Sequence, residues 1–291
     1  ETSLLATGHQ ILDRSGATMA VAVDSDVRKQ YVALPAPSRD DDASDVVRLT
    51  RAVGPVHIDL AAARFLPDRL RQMQFHGTAV IAGNRLLDFE PGNTEQEHFA
   101  VAVDLGTTTL AATLVDVCTG HELAIASRLN PQTRFGDDVL ARIVHATKTS
   151  HGLSELARSV GEAIDTMIGE LTATAEIDRN RIYGVTVSGN TTMQQLFCGI
   201  DPRSLGAIPF VPAMGPGLQC EASELGLNIH ARGQVFVMPV IGGFVGGDTV
   251  AGILASVMTE SPGPTLLVDI GTNGELVLWA NGRLTAASTA A

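Results

Sequence analysis

Two segments of the chain share one pattern, in which an apolar strand ends in aspartate and turns at once through glycine into threonine. The first copy is Val103-Asp104-Leu105-Gly106-Thr107-Thr108-Thr109, and the second is Val268-Asp269-Ile270-Gly271-Thr272-Asn273-Gly274. Such a turn presents backbone N–H groups and hydroxyls to phosphate oxygens, while its aspartate holds hydrated magnesium. One copy alone is typical of an ordinary hairpin, but two copies can face each other across a cleft. The pair therefore predicts a polyphosphate site, with Mg²⁺ near Asp104 and Asp269.

A glycine-rich segment lies between the two turns. It is Gly242-Gly243-Phe244-Val245-Gly246-Gly247-Asp248-Thr249, and an apolar helical stretch from Val250 to Met258 follows it. Glycine lets the backbone approach a ligand, and an aspartate at a helix start either caps the helix or orients a water molecule. Because Asp248 comes just ahead of the second phosphate turn, we favour the catalytic interpretation for it.

From Phe99 onward, three short strands are followed by alternating helices and strands. Glycine turns at Gly106 and Gly120 separate the first three strands, which favours an antiparallel meander. A helix is expected from Leu153 to Leu171, because its apolar residues recur at helical spacing. The expected strands are Phe99 to Asp104, Thr108 to Asp116, Glu122 to Arg128, Ile182 to Val187, Gln234 to Val240 and Thr265 to Asp269. The pattern predicts an α/β fold for residues 98–291.

The first 97 residues of the chain have a different pattern of predicted elements from the rest. Residues 1–44 are expected to form an N-terminal segment and linker, with short strands at Ala17 to Val23 and Gln30 to Leu34. Pro35 to Asp42 is proline-rich and then acidic, which favours an extended linker. Residues 45–97 are expected to form a small α+β domain. Its helices are Asp45 to Val53 and Leu66 to Met73, and its hairpin pairs Thr78 to Ile81 with Arg85 to Phe89.

Charge and composition exclude several classes of partner. The chain has 20 Lys+Arg against 32 Asp+Glu and a net charge of −12, so it lacks the basic face that nucleic-acid binding requires. The most apolar stretch, Gly233 to Gly247, is too short to span a membrane. Three scattered cysteines form no zinc or iron–sulfur ligand set, and each is expected to be buried. The N-terminus has no signal-peptide pattern, so we expect a cytoplasmic protein.

The motifs resemble those of the actin-like ATPase superfamily, which includes sugar and acetate kinases, heat-shock chaperones and actin. Asp104 to Thr109 resembles its first phosphate motif, Asp269 to Gly274 its second, and Gly246-Gly247-Asp248 the Gly-Asp pair that supplies the base in sugar kinases. The resemblance implies ATP and Mg²⁺ as ligands, and an actin-like (ribonuclease H-like) ATPase lobe preceded by the small α+β domain. A P-loop is excluded, because the chain has no Gly-x-x-x-x-Gly-Lys-Ser/Thr segment.

A narrower resemblance, from about Pro35 to the end, is to the reductive activators of corrinoid proteins. In that family the actin-like module uses ATP to return an inactive Co(II) corrinoid to Co(I) in a methyltransferase system. The resemblance implies an ATPase whose partner is a corrinoid protein, and it leaves a homo-oligomer open. The segments that carry it are Asp104 to Thr109, Asn130-Pro131-Gln132, Phe135-Gly136-Asp137-Asp138-Val139, Ser188-Gly189-Asn190-Thr191-Thr192-Met193 and Asp269 to Glu275.

This chain departs from the family pattern in two ways. The family commonly carries an N-terminal ferredoxin domain with a [2Fe–2S] centre, whose clustered cysteines have no counterpart here. The chain also stops soon after Asp269, before a second lobe could be completed. We therefore expect it to be an internal part of a longer protein, with [2Fe–2S] only in the full-length form. Two alternatives stay open: a small-molecule kinase of the same superfamily and a nucleotide-switched binding module.

Two polar segments and one apolar hairpin are left with open interpretations. Asn190 to Thr192 could line the cleft or cap the helix that follows. Gly136-Asp137-Asp138 could bind metal, but paired acids also suit a helix start, which we favour. The hairpin Thr265 to Trp279 is expected to expose apolar residues that need cover from elsewhere.

Overall fold

The computed structural model describes residues 25–271 and 274–289. Within these ranges the strands form three sheets: two of three strands and one of six. The expected strand from Ala17 to Val23 lies outside the described residues, as do Thr272 and Asn273 of the second turn.

The first sheet belongs to the small α+β unit. Its elements are β1 (Val27–Ala33), α1 (Asp45–Val53), α2 (Leu60–Gln72), β2 (His76–Ala82) and β3 (Arg85–Pro91). The predicted hairpin is β2 and β3, and the first predicted helix is α1. Helix α2 begins before the expected Leu66, because the Asp59 side chain caps it by accepting a hydrogen bond from the N–H of Ala62.

The N-terminal strand is part of this small sheet, which corrects the expected separation of residues 1–44 from the domain. β1 pairs antiparallel with β2 along its whole length. The stretch from Pro35 to Asp42 is not an extended linker either. The buried Arg48 donates to the carbonyl oxygens of Pro35 and Asp41 and to the Asp41 carboxylate. This guanidinium offsets the acidic charge that would keep the stretch extended, so the stretch folds back onto α1.

The second sheet forms the larger α/β unit. Its elements are β4 (Phe99–Leu105), β5 (Thr109–Asp116), β6 (Glu122–Leu129), α3 (Val139–Lys148), α4 (Gly152–Thr174), β7 (Ile182–Gly189), α5 (Thr191–Phe197), β8 (Leu218–Glu221) and β9 (Gln234–Val237). The strand order is β6-β5-β4-β7-β9-β8. The predicted meander of β4, β5 and β6 is confirmed, and β7 and β9 run parallel to β4.

The predicted long helix is α4, which crosses from β6 to β7. Its buried stripe, including Leu156, Val160 and Ile164, packs on the apolar face of the sheet. The strand order, with β5 reversed and a helical crossover on one face, is that of the actin-like (ribonuclease H-like) lobe, so the predicted fold class is confirmed. Strand β9 ends at Val237 rather than Val240, since Pro239 cannot donate a ladder hydrogen bond.

The third sheet follows a helix that leads out of the six-stranded lobe. Its elements are α6 (Gly247–Ser256), β10 (Thr265–Ile270), β11 (Gly274–Ala280) and β12 (Arg283–Thr289). The predicted hairpin of β10 and β11 is confirmed, and β12, which was not predicted, extends it. As expected, the sheet exposes apolar side chains: Leu266 is 58% exposed, Val268 48% and Leu278 42%.

A buried carboxylate joins the small unit to the six-stranded lobe. Glu90 on β3 forms ion pairs with Lys29 at 2.9 Å and with Arg181 at 2.6 Å, and it accepts a hydrogen bond from the Tyr183 hydroxyl on β7. Burial alone would raise the pKa of Glu90, but its hydrogen-bond donors and the charge of Lys29 hold it below the usual range. The carboxylate is therefore ionised and fully partnered inside the junction.

Apolar packing and a contact between a histidine and a carboxylate complete this junction. Val80 and Leu87 of the small sheet pack with Tyr183 of the lobe in one buried cluster. The Tyr183 ring also lies against His230, at 4.3 Å between centroids, and His230 contacts the Asp88 carboxylate at 3.2 Å. The two units thus share a continuous interface of apolar and charged groups.

No helix in residues 25–271 and 274–289 is both long and apolar enough to cross a membrane.

Cys118 is exposed in the turn after β5, which corrects the expectation that it is buried, because the turn places it at the surface. Cys198 and Cys220 are half-buried.

Candidate functional site

Both glycine turns and the start of α6 line one cleft of about 520 Å³. Asp104 is on β4, Asp248 is in the first turn of α6, and Asp269 is on β10. The predicted residues that line the cleft are Asp104, Gly106, Thr107, Thr108, Thr109, Asp248, Asp269 and Gly271. The lining residues outside the predicted set are Ser188, Asn190, Ala251, Gly252, Ala255 and Glu275.

Gly246 and Gly247, which were predicted to bind the cofactor, do not line this cleft. Because these two residues have no side chains, the start of α6 can lie close to α5. A Cβ on Gly246 would lie 2.5 Å from the Cα of Asn190. Gly247 is buried and donates its N–H to Gln194 Oε1 at 3.0 Å. The two glycines therefore allow the close helix packing that places Asp248, and their role toward a cofactor stays a prediction.

The first glycine turn, Gly106 to Thr109, is held by side chains from three segments of the chain. Asn130 donates to the carbonyl oxygen of Gly106 at 2.8 Å, and Arg142 donates to that of Thr107 at 2.6 Å. Asn190 donates to the Thr107 hydroxyl at 3.0 Å. Glycine is required at position 106, because a Cβ there would lie 2.4 Å from the carbonyl oxygen of Thr109. These hydrogen bonds and the close approach at Gly106 together define the conformation of the turn.

Asn190 performs both of the roles that the sequence left open. Its side-chain oxygen accepts from the N–H of Met193 at 3.0 Å and so caps α5, while its amide lines the cleft. Asp138 has the structural role that we favoured, since it caps α3 by accepting from the N–H of Ala141 at 2.7 Å. Neither Asp137 nor Asp138 lines the cleft.

Four carboxylates meet in the cleft, and their charges affect one another. Burial raises the pKa of Asp104 to about 6, and the charges of Asp248 and Asp269 add to this effect. Asp104 is accessible to solvent and lines the cleft. Burial, and then the charge of Asp269, also raises the pKa of Asp248. The cleft therefore concentrates negative charge that favours a bound cation.

Glu275 is the fourth carboxylate, and the sequence analysis did not assign it to the site. It lies directly opposite Asp269 in the pairing of β10 with β11. Burial raises its pKa, and the charges of Asp248 and Asp269 raise it further. The sequence did contain a clue, because Glu275 is the last residue of the second motif. Which face of the hairpin carries its side chain, however, depends on the strand register.

The residues present fit a hydrated Mg²⁺ better than a metal ligated by protein alone. Within the described residues, no three His, Cys, Asp or Glu side chains are placed to hold a metal ion together. The lining does provide carboxylates, hydroxyls and backbone groups, and it contains no Lys or Arg. Mg²⁺ keeps several waters and takes further oxygens from substrate phosphates. A site with carboxylates around an open cleft matches that preference.

Comparison with known proteins agrees with this architecture. The family model described as the RACo middle region matches residues 99–261, which is more than half of the chain. The chain belongs to the RACo family. The RACo linker region matches residues 16–96. The family resemblance stated from the motifs, to the reductive activators of corrinoid proteins, is therefore confirmed.

Relatives of this RACo family member extend well beyond the residues that match it. The corrinoid activation enzyme RamQ of Eubacterium limosum is 34% identical over 212 residues, which are 72% of this chain and 35% of RamQ. A protein of Methanosarcina barkeri named as the Co(II) methylated amine-specific corrinoid protein reductase is 26% identical over 202 residues, which are 66% of this chain and 36% of that protein. A solved reductive activator for a corrinoid, iron–sulfur protein superposes with a TM-score of 0.86 at 32% identity, covering 94% of this chain and 45% of that one. The chain thus spans less than half the length of these relatives.

Proposed function

We propose that this chain is the nucleotide-binding part of an ATP-dependent reductive activator, which returns a Co(II) corrinoid protein to Co(I) in a methyltransferase system. The observation that carries the proposal is the meeting of both phosphate turns and Asp248 in one cleft of a RACo family chain. The relatives' names supply the substrate class, since one is a corrinoid activation enzyme and another a Co(II) corrinoid protein reductase.

In the proposed ATP hydrolysis, different residues of the cleft have different roles. Mg²⁺ would offset the phosphate charge, with Asp104 and Asp269 holding its water ligands. The N–H groups and hydroxyls of Gly106 to Thr109, and of Gly271 to Gly274, would bind phosphate oxygens.

Asp248 supplies the base in this proposal. It takes a proton from the attacking water as a new bond forms between that oxygen and the γ-phosphorus, and the bond to the ADP oxygen breaks. Its raised pKa makes its carboxylate a stronger base than an ordinary aspartate. Asp248 lines the cleft and is only half-buried, so a water molecule can reach it.

The nucleotide is proposed to act through contact with the corrinoid protein rather than by carrying electrons through this chain. Coupling between two sites is typically about 1–3 kcal/mol, and a one-electron potential moves by roughly 59 mV for each tenfold change in affinity. Binding alone would therefore shift the cobalt potential by roughly 40 to 130 mV. A larger gap between the electron donor and Co(II) requires hydrolysis to release the complex once Co(I) has formed.

The test combines the full-length protein, a Co(II) corrinoid protein and a reductant, with and without ATP. ATP-dependent appearance of the cob(I)alamin absorption spectrum supports the proposal, and the Asp248→Asn variant should abolish it. A small-molecule kinase would instead phosphorylate a hydroxyl compound and form no Co(I). A nucleotide-switched binding module would bind ATP without releasing phosphate. Either result would replace the proposed function.

A further inference from the structure

Two buried side chains hold the first phosphate turn from behind. Asn130 and Arg142 are both 0% exposed, and neither lines the cleft. Asn130 donates to the carbonyl oxygen of Gly106 at 2.8 Å, and Arg142 donates to that of Thr107 at 2.6 Å. Two consecutive carbonyl groups of the turn are thus directed into the protein.

The direction of these carbonyls fixes the direction of the amides that follow them. In a planar trans peptide, the C=O of one residue and the N–H of the next point in opposite directions. Because the Gly106 and Thr107 carbonyls point to Asn130 and Arg142, the N–H groups of Thr107 and Thr108 point the other way. Thr107 and Thr108 are themselves lining residues of the cleft, which is consistent with their N–H groups facing it.

Arg142 also carries a buried charge that forms no ion pair with any carboxylate in residues 25–271 and 274–289. Its other hydrogen bonds go to the carbonyl oxygen of Gly136 at 3.0 Å, the amide oxygen of Gln132 at 3.4 Å and the sulfur of Met193 at 3.1 Å. Burial lowers its pKa to about 10, although Asp138 and Asp137 oppose the shift, so the guanidinium is charged at neutral pH. A buried charge that is hydrogen-bonded but has no ion-pair partner is costly, and it favours an anion close by.

We propose that Asn130 and Arg142 are positioning residues for the polyphosphate of the nucleotide. They orient the Thr107 and Thr108 amides toward the phosphates, and Arg142 places a positive charge behind a turn whose cleft has no basic side chain in its lining. This inference rests on the proposed function, and it assigns the guanidinium charge to phosphate binding. Arg142 acts through the turn and not by touching the ligand.

The test measures the affinities of the full-length protein for MgATP and for adenosine, which has no phosphate. Arg142→Met keeps the volume and removes the charge and the hydrogen bonds, so MgATP should bind about tenfold or more weakly, while adenosine binding is unchanged. Arg142→Lys, which keeps the charge, should recover part of the loss. The Asn130 side-chain oxygen also accepts from the N–H of Gln132 at 2.9 Å. Asn130→Ser keeps an oxygen for that cap but loses the amide that donates to Gly106, and it should weaken MgATP binding about threefold to tenfold.

Arg48→Met is the matched control, because Arg48 is also a buried arginine but lies in the small unit away from the cleft. It should lower the melting temperature and leave MgATP affinity unchanged. Equal losses for MgATP and adenosine in Arg142→Met, or no loss, would overturn the inference. If that variant does not fold, Asn130→Ser decides by the same comparison. If the unaltered protein fails to bind MgATP, the proposed function itself is wrong and this inference fails with it.

Discussion

Asn190 donates its side-chain amide to the Thr107 hydroxyl at 3.0 Å, which ties the start of α5 to the first phosphate turn. The same side chain caps α5 through its oxygen. One residue therefore connects helix stability with the geometry of the cleft, and substitutions at this position can separate the two contributions.

Asn190→Ala should lower the free energy of unfolding by about 1 kcal/mol, because the cap of α5 is lost. Asn190→Asp keeps the capping oxygen and should unfold at nearly the same denaturant concentration as the unaltered protein. It adds negative charge to a cleft that already holds four carboxylates, so MgATP should bind roughly fivefold more weakly. Urea unfolding and calorimetric titration measure the two effects. ATP affinity in both variants that equals that of the unaltered protein would argue against a role for Asn190 in the cleft.

Asp248→Asn in the full-length protein should lower ATP turnover by about 10² or more and leave nucleotide binding intact, since the amide cannot accept the proton of water. Phosphate release and ATP affinity are measured side by side. Asp137→Asn is the control, because Asp137 lies near the start of α3 and outside the cleft lining. Unchanged turnover in the Asp248 variant would remove this residue from the mechanism.

The titration of Asp104 predicts how stability depends on pH. Its pKa is raised from 3.8 to about 6, first by burial and then by the charges of Asp248 and Asp269. The folded protein binds this proton more tightly than the unfolded chain does. The Asp104 contribution to the free energy of unfolding therefore falls as pH rises from about 4 to about 6, and it is constant above that range.

Asp104→Asn has no such titration. Its stability relative to the unaltered protein should increase across this window, as measured by urea unfolding at several pH values without nucleotide or Mg²⁺. A stability difference that is the same at about pH 4 and about pH 7 would contradict the raised pKa.

Glu90→Gln should destabilise the protein strongly. The substitution leaves Lys29 and Arg181 without their shared carboxylate, and loss of one partner from a buried ion pair typically costs about 3–5 kcal/mol. Because the pKa of Glu90 is lowered, the stability it contributes is present above its unfolded pKa and is lost as pH falls through the folded value.

The difference between Glu90→Gln and the unaltered protein should therefore shrink in acid, as denaturant unfolding over a pH series would measure. Glu170→Gln is the control, since Glu170 pairs with Arg128 on the surface, where such pairs contribute about 1 kcal/mol or less. If both variants lost a similar free energy of unfolding, the buried ion pairs of the junction would stabilise the protein no more than a surface pair does.

Local patterns predicted the elements around the cleft well. Strands β4 to β6 and helix α4 were found because their apolar periodicity is continuous and glycine marks the turns. Three aspartates could be predicted to line the cleft because each stands where a strand or helix begins or ends. They are Asp104, Asp248 and Asp269. These signals are contained within a few neighbouring residues.

Contacts between distant segments were not predictable in the same way. The pairing of β1 with β2 crosses two helices, and no local pattern indicates it. Gly246 and Gly247 indicate a close backbone approach, but the sequence does not say that α5 is the neighbour. Arg142 resembles a surface residue of an apolar helix, and only the fold places it behind Thr107.

The junction around Glu90 has a mechanical consequence. Its ion pairs, the Tyr183 hydrogen bond and the shared apolar cluster anchor the small sheet directly to β7, the strand that leads into Asn190 and the cleft. We therefore expect a rotation of the six-stranded lobe to carry the small sheet with it, since the contacts of the junction would otherwise have to break. If the proposed nucleotide moves the lobe, the small sheet is the surface on which that movement would be presented to a partner.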